Sequence, residues 1–394
     1  MNLKSPFFYP IAFWALMLTL FEMFAVYQSS FSALVFVVTF FVTYLFGLCL
    51  PNLIGVAKGE PETLTDRFFV ISKYVIILGS VLYVVGIYQL IVKYSNLSSD
   101  ILTIPHQVSA YRYKNSADYS QPFLYTIGNY LSFSSVVLIA IFAAYKRLSL
   151  SLLLITVVPI VLNVFIKTQR GSIIFGVILY LVTYHMFSQN SSTLKFMIRG
   201  IKHLIYFLLF FSFSYVFLQS IREGNEAHLS KDSLDNLQSA IFGSWAAFGN
   251  WFDTASPEKY LFPNTLIEFT FNRVAFYGFG IEPRQPGLFG ETAYLLGDNP
   301  RHSTTVFTVF RALIEDIGLI LTYCFGFLMG VFSGYFYLKR RSPIFCFNLI
   351  VIYQFFILGW LASMFNWNSM IFTYGLVSIL LYCCSKKLPQ LTRQ

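Results

Sequence analysis

Residues 315–338 read Glu-Asp-Ile-Gly-Leu-Ile-Leu-Thr-Tyr-Cys-Phe-Gly-Phe-Leu-Met-Gly-Val-Phe-Ser-Gly-Tyr-Phe-Tyr-Leu, and Lys339-Arg-Arg341 follows. Two acids open the stretch, no charge interrupts it, and three basic residues close it. An apolar run of roughly 20 residues is long enough to cross the hydrocarbon core of a bilayer as a helix. Basic clusters mark the cytoplasmic ends of such spans. The stretch therefore reads as a membrane helix that starts at the outer face with Glu315 and Asp316.

The rest of the chain repeats this pattern. Of 394 residues, 56% are hydrophobic and only 11% charged. A soluble domain carries about 25% charged residues because its surface faces water. So few charges require an outer surface that faces lipid, and long apolar runs favour helices over a barrel. The expected fold class is an all-α polytopic membrane protein forming a single integral membrane domain over 1–394. Ten spans are predicted, near 7–27, 31–50, 68–92, 123–145, 148–166, 171–188, 204–221, 315–338, 343–361 and 369–384.

Lys4, Lys58 with Arg67, Lys146-Arg147, Lys195 with Arg199 and Lys202, Lys339-Arg-Arg341 and Lys386-Lys387 all fall on one side of this arrangement. The positive-inside rule makes that side the cytoplasm, with both termini cytoplasmic. The apolar run beginning at Phe7 has no small-residue cleavage site after it and reads as the first span. Net charge is +9, but the basic residues flank spans and accompany no RNA-binding aromatic motif, so nucleic acid is excluded as a partner. Cys49, Cys324, Cys346, Cys383 and Cys384 lie in or beside apolar runs without metal-ligand spacing. No metal and no cofactor is expected.

Two outer segments result, 93–122 and the much larger 222–314. Of the 18 acidic residues, 12 fall between Glu223 and Asp316. Within the large segment, Ile241, Trp245, Phe248 and Trp251 recur near helical spacing. This predicts an interfacial helix over 237–252, with its tryptophans at headgroup depth. Phe279–Gly290, rich in Gly and Pro, reads as loop.

Charges near spans carry the chemical argument, because the bilayer makes them costly. Arg170 sits in the short outer turn Lys167-Thr-Gln-Arg-Gly171, where a guanidinium either binds a diphosphate bidentately or snorkels to lipid phosphates. Arg222 is a second phosphate anchor or the stop of a helix. Arg273, Arg284 and Arg301 suit an anionic substrate, or form ordinary surface ion pairs. Arg311 is followed closely by Glu315 and Asp316, so a structural ion pair competes with a functional role there. His302 has a near-neutral intrinsic pKa, suited to a general base or to a phosphate contact. Glu315 and Asp316 either satisfy a helix N-terminus or orient an acceptor hydroxyl or an arginine. Walker A, GxGxxG, GxSxG and HExxH motifs are absent. No soluble nucleotide-binding domain is visible, so any transfer reaction needs a donor already activated in the membrane.

Several features occur in a recognisable order. These are Arg170-Gly171 within Thr168-Gln-Arg-Gly-Ser172, Ser239-Ala-Ile-Phe-Gly243 running to Trp251-Phe-Asp253, Ser303-Thr-Thr305, and Asp316-Ile-Gly318 with the later Gly326 and Gly330. With the topology, this resembles the bacterial Wzy-type O-antigen polymerases, or oligosaccharide repeat-unit polymerases. The resemblance implies a GT-C-like membrane glycosyltransferase of lipopolysaccharide biosynthesis in the inner membrane. Donor and acceptor would both be undecaprenyl-diphosphate-linked glycans, joined on the periplasmic face, with inner-membrane lipids and a chain-length regulator protein as further partners. It implies that Arg170, Arg222, Arg273, Arg284 and Arg301 bind diphosphate or glycan, and that His302, Asp316 or Glu315 serves the acceptor. An O-antigen ligase is a rival in the same chemistry, with Asp316-Ile-Gly318 favouring the polymerase. A lipid-linked glycan flippase is a rival of another class, but it should line a central cavity with charge, and here charges crowd one face.

Overall fold

The computed structural model describes residues 8–95, 103–114, 120–167, 171–188, 231–254, 288–295, 303–361 and 367–387. The protein is predominantly helical, as expected of an all-α membrane protein. A turn of π-helix over Phe8–Ala12 leads into α1 (Phe13–Phe24), followed by α2 (Phe31–Leu53), β1 (Glu62–Leu64), α3 (Asp66–Tyr94), α4 (Thr103–Lys114), α5 (Phe123–Ala144), α6 (Leu150–Lys167) and α7 (Gly171–Phe187). After these come α8 (Lys231–Thr254), β2 (Leu288–Tyr294), β3 (Ser303–Val306), α9 (Val309–Lys339), α10 (Pro343–Leu358), α11 (Asn368–Cys384) and β4 (Ser385–Lys387).

Among the described residues, α2, α3, α5, α6 and α9 are long and apolar enough to cross a membrane. Tyr9–Phe24, Phe175–Phe187, Pro343–Leu358 and Asn368–Cys384 are shorter apolar helices. Helices thus coincide with nine of the ten predicted spans, and the span at 204–221 lies outside the described residues. Large apolar side chains such as Val70, Tyr74, Leu78, Val81, Val85 and Tyr88 stand exposed along α3, the surface that a lipid solvent favours.

The chain divides into two compact units, one of Met1–Thr63, Leu234–Asn368 and Ser385–Gln394, the other of Leu64–Ser233 and Ser369–Cys384. In the first unit α2 and α9 lie in close contact along their length. A Cβ on Gly330 would run into the carbonyl oxygen of Tyr44, and one on Gly47 into that of Phe327. Small residues let helix backbones approach in this way where lipid offers no hydrophobic drive between helices. Beside them, Trp14, Trp245, Trp360 and Phe310 form an aromatic core, with Trp14 packed 4.9 Å from Phe310 and 5.0 Å from Trp360 between ring centroids. Such pairs contribute about 1 kcal/mol each beyond the area they bury.

In the second unit α3 and α5 interlock through Gly86 against the backbone of Tyr125 and Gly128 against that of Tyr83. Polar side chains bridge the helices there. Tyr83 donates to Asn129 Oδ1 at 3.0 Å, and Tyr125 donates to Asn163 Oδ1 at 2.7 Å. Helix α4, within the predicted outer segment 93–122, packs Val108 and Ile104 onto the Tyr83–Tyr94 face of α3 and Ile166 of α6. Arg147 pairs with Asp66 at 2.6 Å and stacks on Phe69 at the basic end of this unit.

Candidate functional site

The site grows from the start of α9, which the sequence reading puts too late. A span from Glu315 was predicted, whereas the helix begins at Val309 behind an extended Thr308 (φ −63°, ψ 161°). The apolar run Val306–Ile314 has no breaker after Thr308, so its residues propagate the helix through the two acids. Glu315 and Asp316 therefore sit in its second turn and do not cap its N-terminus. The regular backbone stops instead at Gly318 (φ 80°, ψ 165°), a conformation strongly penalised for any residue with a Cβ. Beyond it the helix resumes, and Thr322 Oγ1 donates to the Gly318 carbonyl at 2.8 Å.

Arg311 lies in the first turn with its side chain 4% exposed. Its Nε donates to Glu315 Oε1 at 2.8 Å, four residues on and on the same helix face. The guanidinium stacks 4.0 Å from the ring centroid of Phe307 and 5.1 Å from that of Trp251. The structural ion pair weighed against a functional role for Arg311 is thus formed. Asp316, the next residue along from Glu315, is wholly buried. A carboxylate and a guanidinium held out of water interact strongly, and removing either partner is expensive. Chemically, the cluster offers a fixed positive charge, a carboxylate that steadies it and a second carboxylate nearby.

Helix α8 supplies Trp251 and fixes one wall. Ser244 donates its hydroxyl to the Trp360 carbonyl at 2.6 Å, and Trp360 Nε1 returns a bond to the Ile241 carbonyl at 2.8 Å. Trp245 stacks on Trp360, with ring planes 19° apart. The predicted helix is therefore present, but its tryptophans are buried against protein: Trp245 is 1% exposed and Trp251 9%. An aromatic stripe at helical spacing fits a headgroup layer and a protein core equally well, and here the core takes it. The hairpin of β2 and β3, with Ala293 opposite Thr304 and Tyr294 opposite Ser303, lies against α8 at Gly243, where a Cβ would meet Leu295 and Thr304.

Of the predicted site residues, Glu315 is paired with Arg311, and Asp316 is buried in the same turn as Glu315. Arg170, Arg222, Arg273, Arg284, Arg301 and His302 lie outside the described residues. Lys167, three residues before Arg170, is 2% exposed, with Nζ 4.0 Å from the ring centroid of Tyr125. The sequence reading used Lys167 only to delimit a turn, yet Asn163 and Lys167, four apart at the end of an apolar run and so on one helix face, were a readable signal. Thr308 was missed as well. Among the described residues no group of His, Cys, Asp and Glu is placed to hold a metal ion. No protein-family model matches the chain, and comparisons with curated proteins and with solved structures give no match.

Proposed function

We propose that this protein is a membrane-embedded glycosyltransferase that joins lipid-linked oligosaccharide repeat units, in the manner of the O-antigen polymerases its sequence resembles. The observation that carries the reading is the Arg311–Glu315–Asp316 cluster. Three charged residues fall within the first two turns of an apolar helix that carries no further charge before Lys339, at its junction with the acid-rich segment, with Arg311 against the aromatic Trp251 and Phe307. Charges retained at such cost in a membrane protein mark functional sites by default.

In the proposed reaction a sugar hydroxyl of the acceptor attacks the anomeric carbon of the donor glycan. The new C–O bond forms as the bond to undecaprenyl diphosphate breaks, and the diphosphate leaves with the electron pair. Arginines stabilise the leaving charge, as preorganised cations do in other transfers without metal or nucleotide. Glu315 already accepts from Arg311 and reads as its orienting group. Asp316 or His302 takes the acceptor proton.

The test is complementation of a polymerase-deficient bacterial strain whose repeat unit matches the gene's own cluster, followed by gel analysis of lipopolysaccharide. Wild type should restore a ladder of chain lengths, and Arg170→Ala at equal membrane level should leave single repeats. Failure of the well-expressed wild type to extend chains overturns the polymerase reading. Lipid-linked polymer accumulating when the gene is deleted from its own host assigns ligation instead.

A further inference from the structure

Among the described residues, the helices that begin with a hydroxyl-bearing N-cap have that hydroxyl hydrogen-bonded, with one exception. At α6 the Ser149 Oγ accepts from the Leu152 N–H at 3.3 Å with no acid in the first turn, and at α2, α3 and α10 an acid also stands at that end. At the start of α2, Ser30 Oγ accepts from the Ala33 N–H at 3.0 Å and donates to Asp253 Oδ1 at 2.9 Å. Ser32 donates to the same carboxylate oxygen at 2.8 Å. At the start of α10, the Ser342 hydroxyl donates to Glu62 Oε2. At the start of α3, Thr65 gives its hydroxyl to the Cys384 carbonyl, and Asp66 supplies an acid in the first turn. Negative charge at these ends is what the helix dipole favours.

The start of α9 is the exception. Thr308 occupies the N-cap but makes no side-chain cap, and its hydroxyl is wholly buried with no hydrogen-bond partner among the described residues. The first turn holds no acid and does hold Arg311. Glu315 offsets the arginine, and the Val309 N–H donates to the Gly359 carbonyl at 2.8 Å, but no side chain closes this end of the helix and the Thr308 hydroxyl stays unsatisfied. A buried hydroxyl left unsatisfied has lost its water without gaining a partner, and such a group in a native fold calls for an explanation.

We propose that the N-terminus of α9 binds a phosphate-class anion, which accepts from Thr308 Oγ1 and faces Arg311. Helix N-termini receive such groups through their N–H donors and dipole, and an arginine stacked on Phe307 and Trp251 is held ready without further ordering. The position stands without the glycosyl-transfer reading. Only the assignment of the anion to the diphosphate of a glycan lipid rests on that reading.

The experiment uses the full chain purified into nanodiscs of zwitterionic phosphatidylcholine, with thermal unfolding followed against inorganic pyrophosphate at constant ionic strength. A ligand that binds only the folded state raises Tm with its concentration. Wild type should show a saturable rise, and Thr308→Val, which keeps the shape and removes the hydroxyl, should move the midpoint at least tenfold higher. Ser30→Ala, at the filled terminus of α2, should leave the midpoint unchanged. In a second arm, nanodiscs containing phosphatidylglycerol test a lipid headgroup as the source of the phosphate. A rise there that Thr308→Val abolishes, with no further effect of pyrophosphate, assigns the site to lipid. No rise in either arm, or equal midpoints for wild type and Thr308→Val, overturns the proposal. A wild type that fails complementation yet responds to pyrophosphate keeps the site and discards glycan transfer, and the opposite pair of results does the reverse.

Discussion

The two long helices packed against each other in the first unit begin in opposite ways. Helix α2 starts at Ser30, whose hydroxyl caps Ala33 while Asp253 stands at the end of the dipole. Helix α9 starts at Thr308, which caps nothing, with an arginine in its first turn. One end is finished by the protein's own side chains, the other only by a backbone carbonyl, that of Gly359, which accepts from the Val309 N–H. The difference separates a terminus built for stability from one whose electrostatics favour an added anion.

The comparison depends on α2 and α9 staying in register, so the strongest blow to it is at their contact. Gly330→Val forces a side chain into the Tyr44 carbonyl, and folded, monodisperse protein should be lost on size-exclusion chromatography. Next comes Glu315→Ala, which leaves the Arg311 guanidinium without its Nε acceptor. Losing one member of a buried pair costs about 3 kcal/mol or more, and a large fall in Tm should be seen with membrane insertion unchanged. Ser30→Ala removes a working cap, and about 1 kcal/mol of stability should go with it. Thr308→Val sharpens the contrast with the smallest effect. Without added anion it should leave Tm unchanged or slightly higher, because the hydroxyl it deletes makes no bond. A loss as large as that of Ser30→Ala would show that Thr308 is an ordinary cap.

The long apolar helices were legible because lipid imposes a single strong rule, an uncharged run of sufficient length, and α2 and α5 obey it plainly. The boundary at Glu315 was misread for the same reason. Charge was taken as the edge of the apolar run, but Arg311 and Glu315 cancel each other across one turn and the helix passes through both. The stripe of Trp245, Phe248 and Trp251 predicted a helix correctly. Period alone does not tell lipid from protein as its neighbour, so its burial was not legible. The meeting of Trp251 with Arg311 joins residues far apart in the chain, and only the fold brings them together. The role of Thr308 was out of reach too, since its significance is a hydrogen bond that is not made.

Gly318 has one more consequence. Each helical residue advances the chain by about 100° around its axis, so an unbroken α9 would tie the angular position of Arg311 to that of Gly330 through every residue between. The break at φ 80° resets that phase. Val309–Ile317 is oriented by its aromatic neighbours and the remainder of α9 by its glycines against α2, with a single residue setting the angle between them. Lengthening the helix by one residue after Gly318 would rotate the glycine face away from α2 while Arg311 kept its place, and an insertion before Gly318 would do the converse. The molecule thus carries within one rod two independently keyed parts, a membrane-packing surface and a charged head.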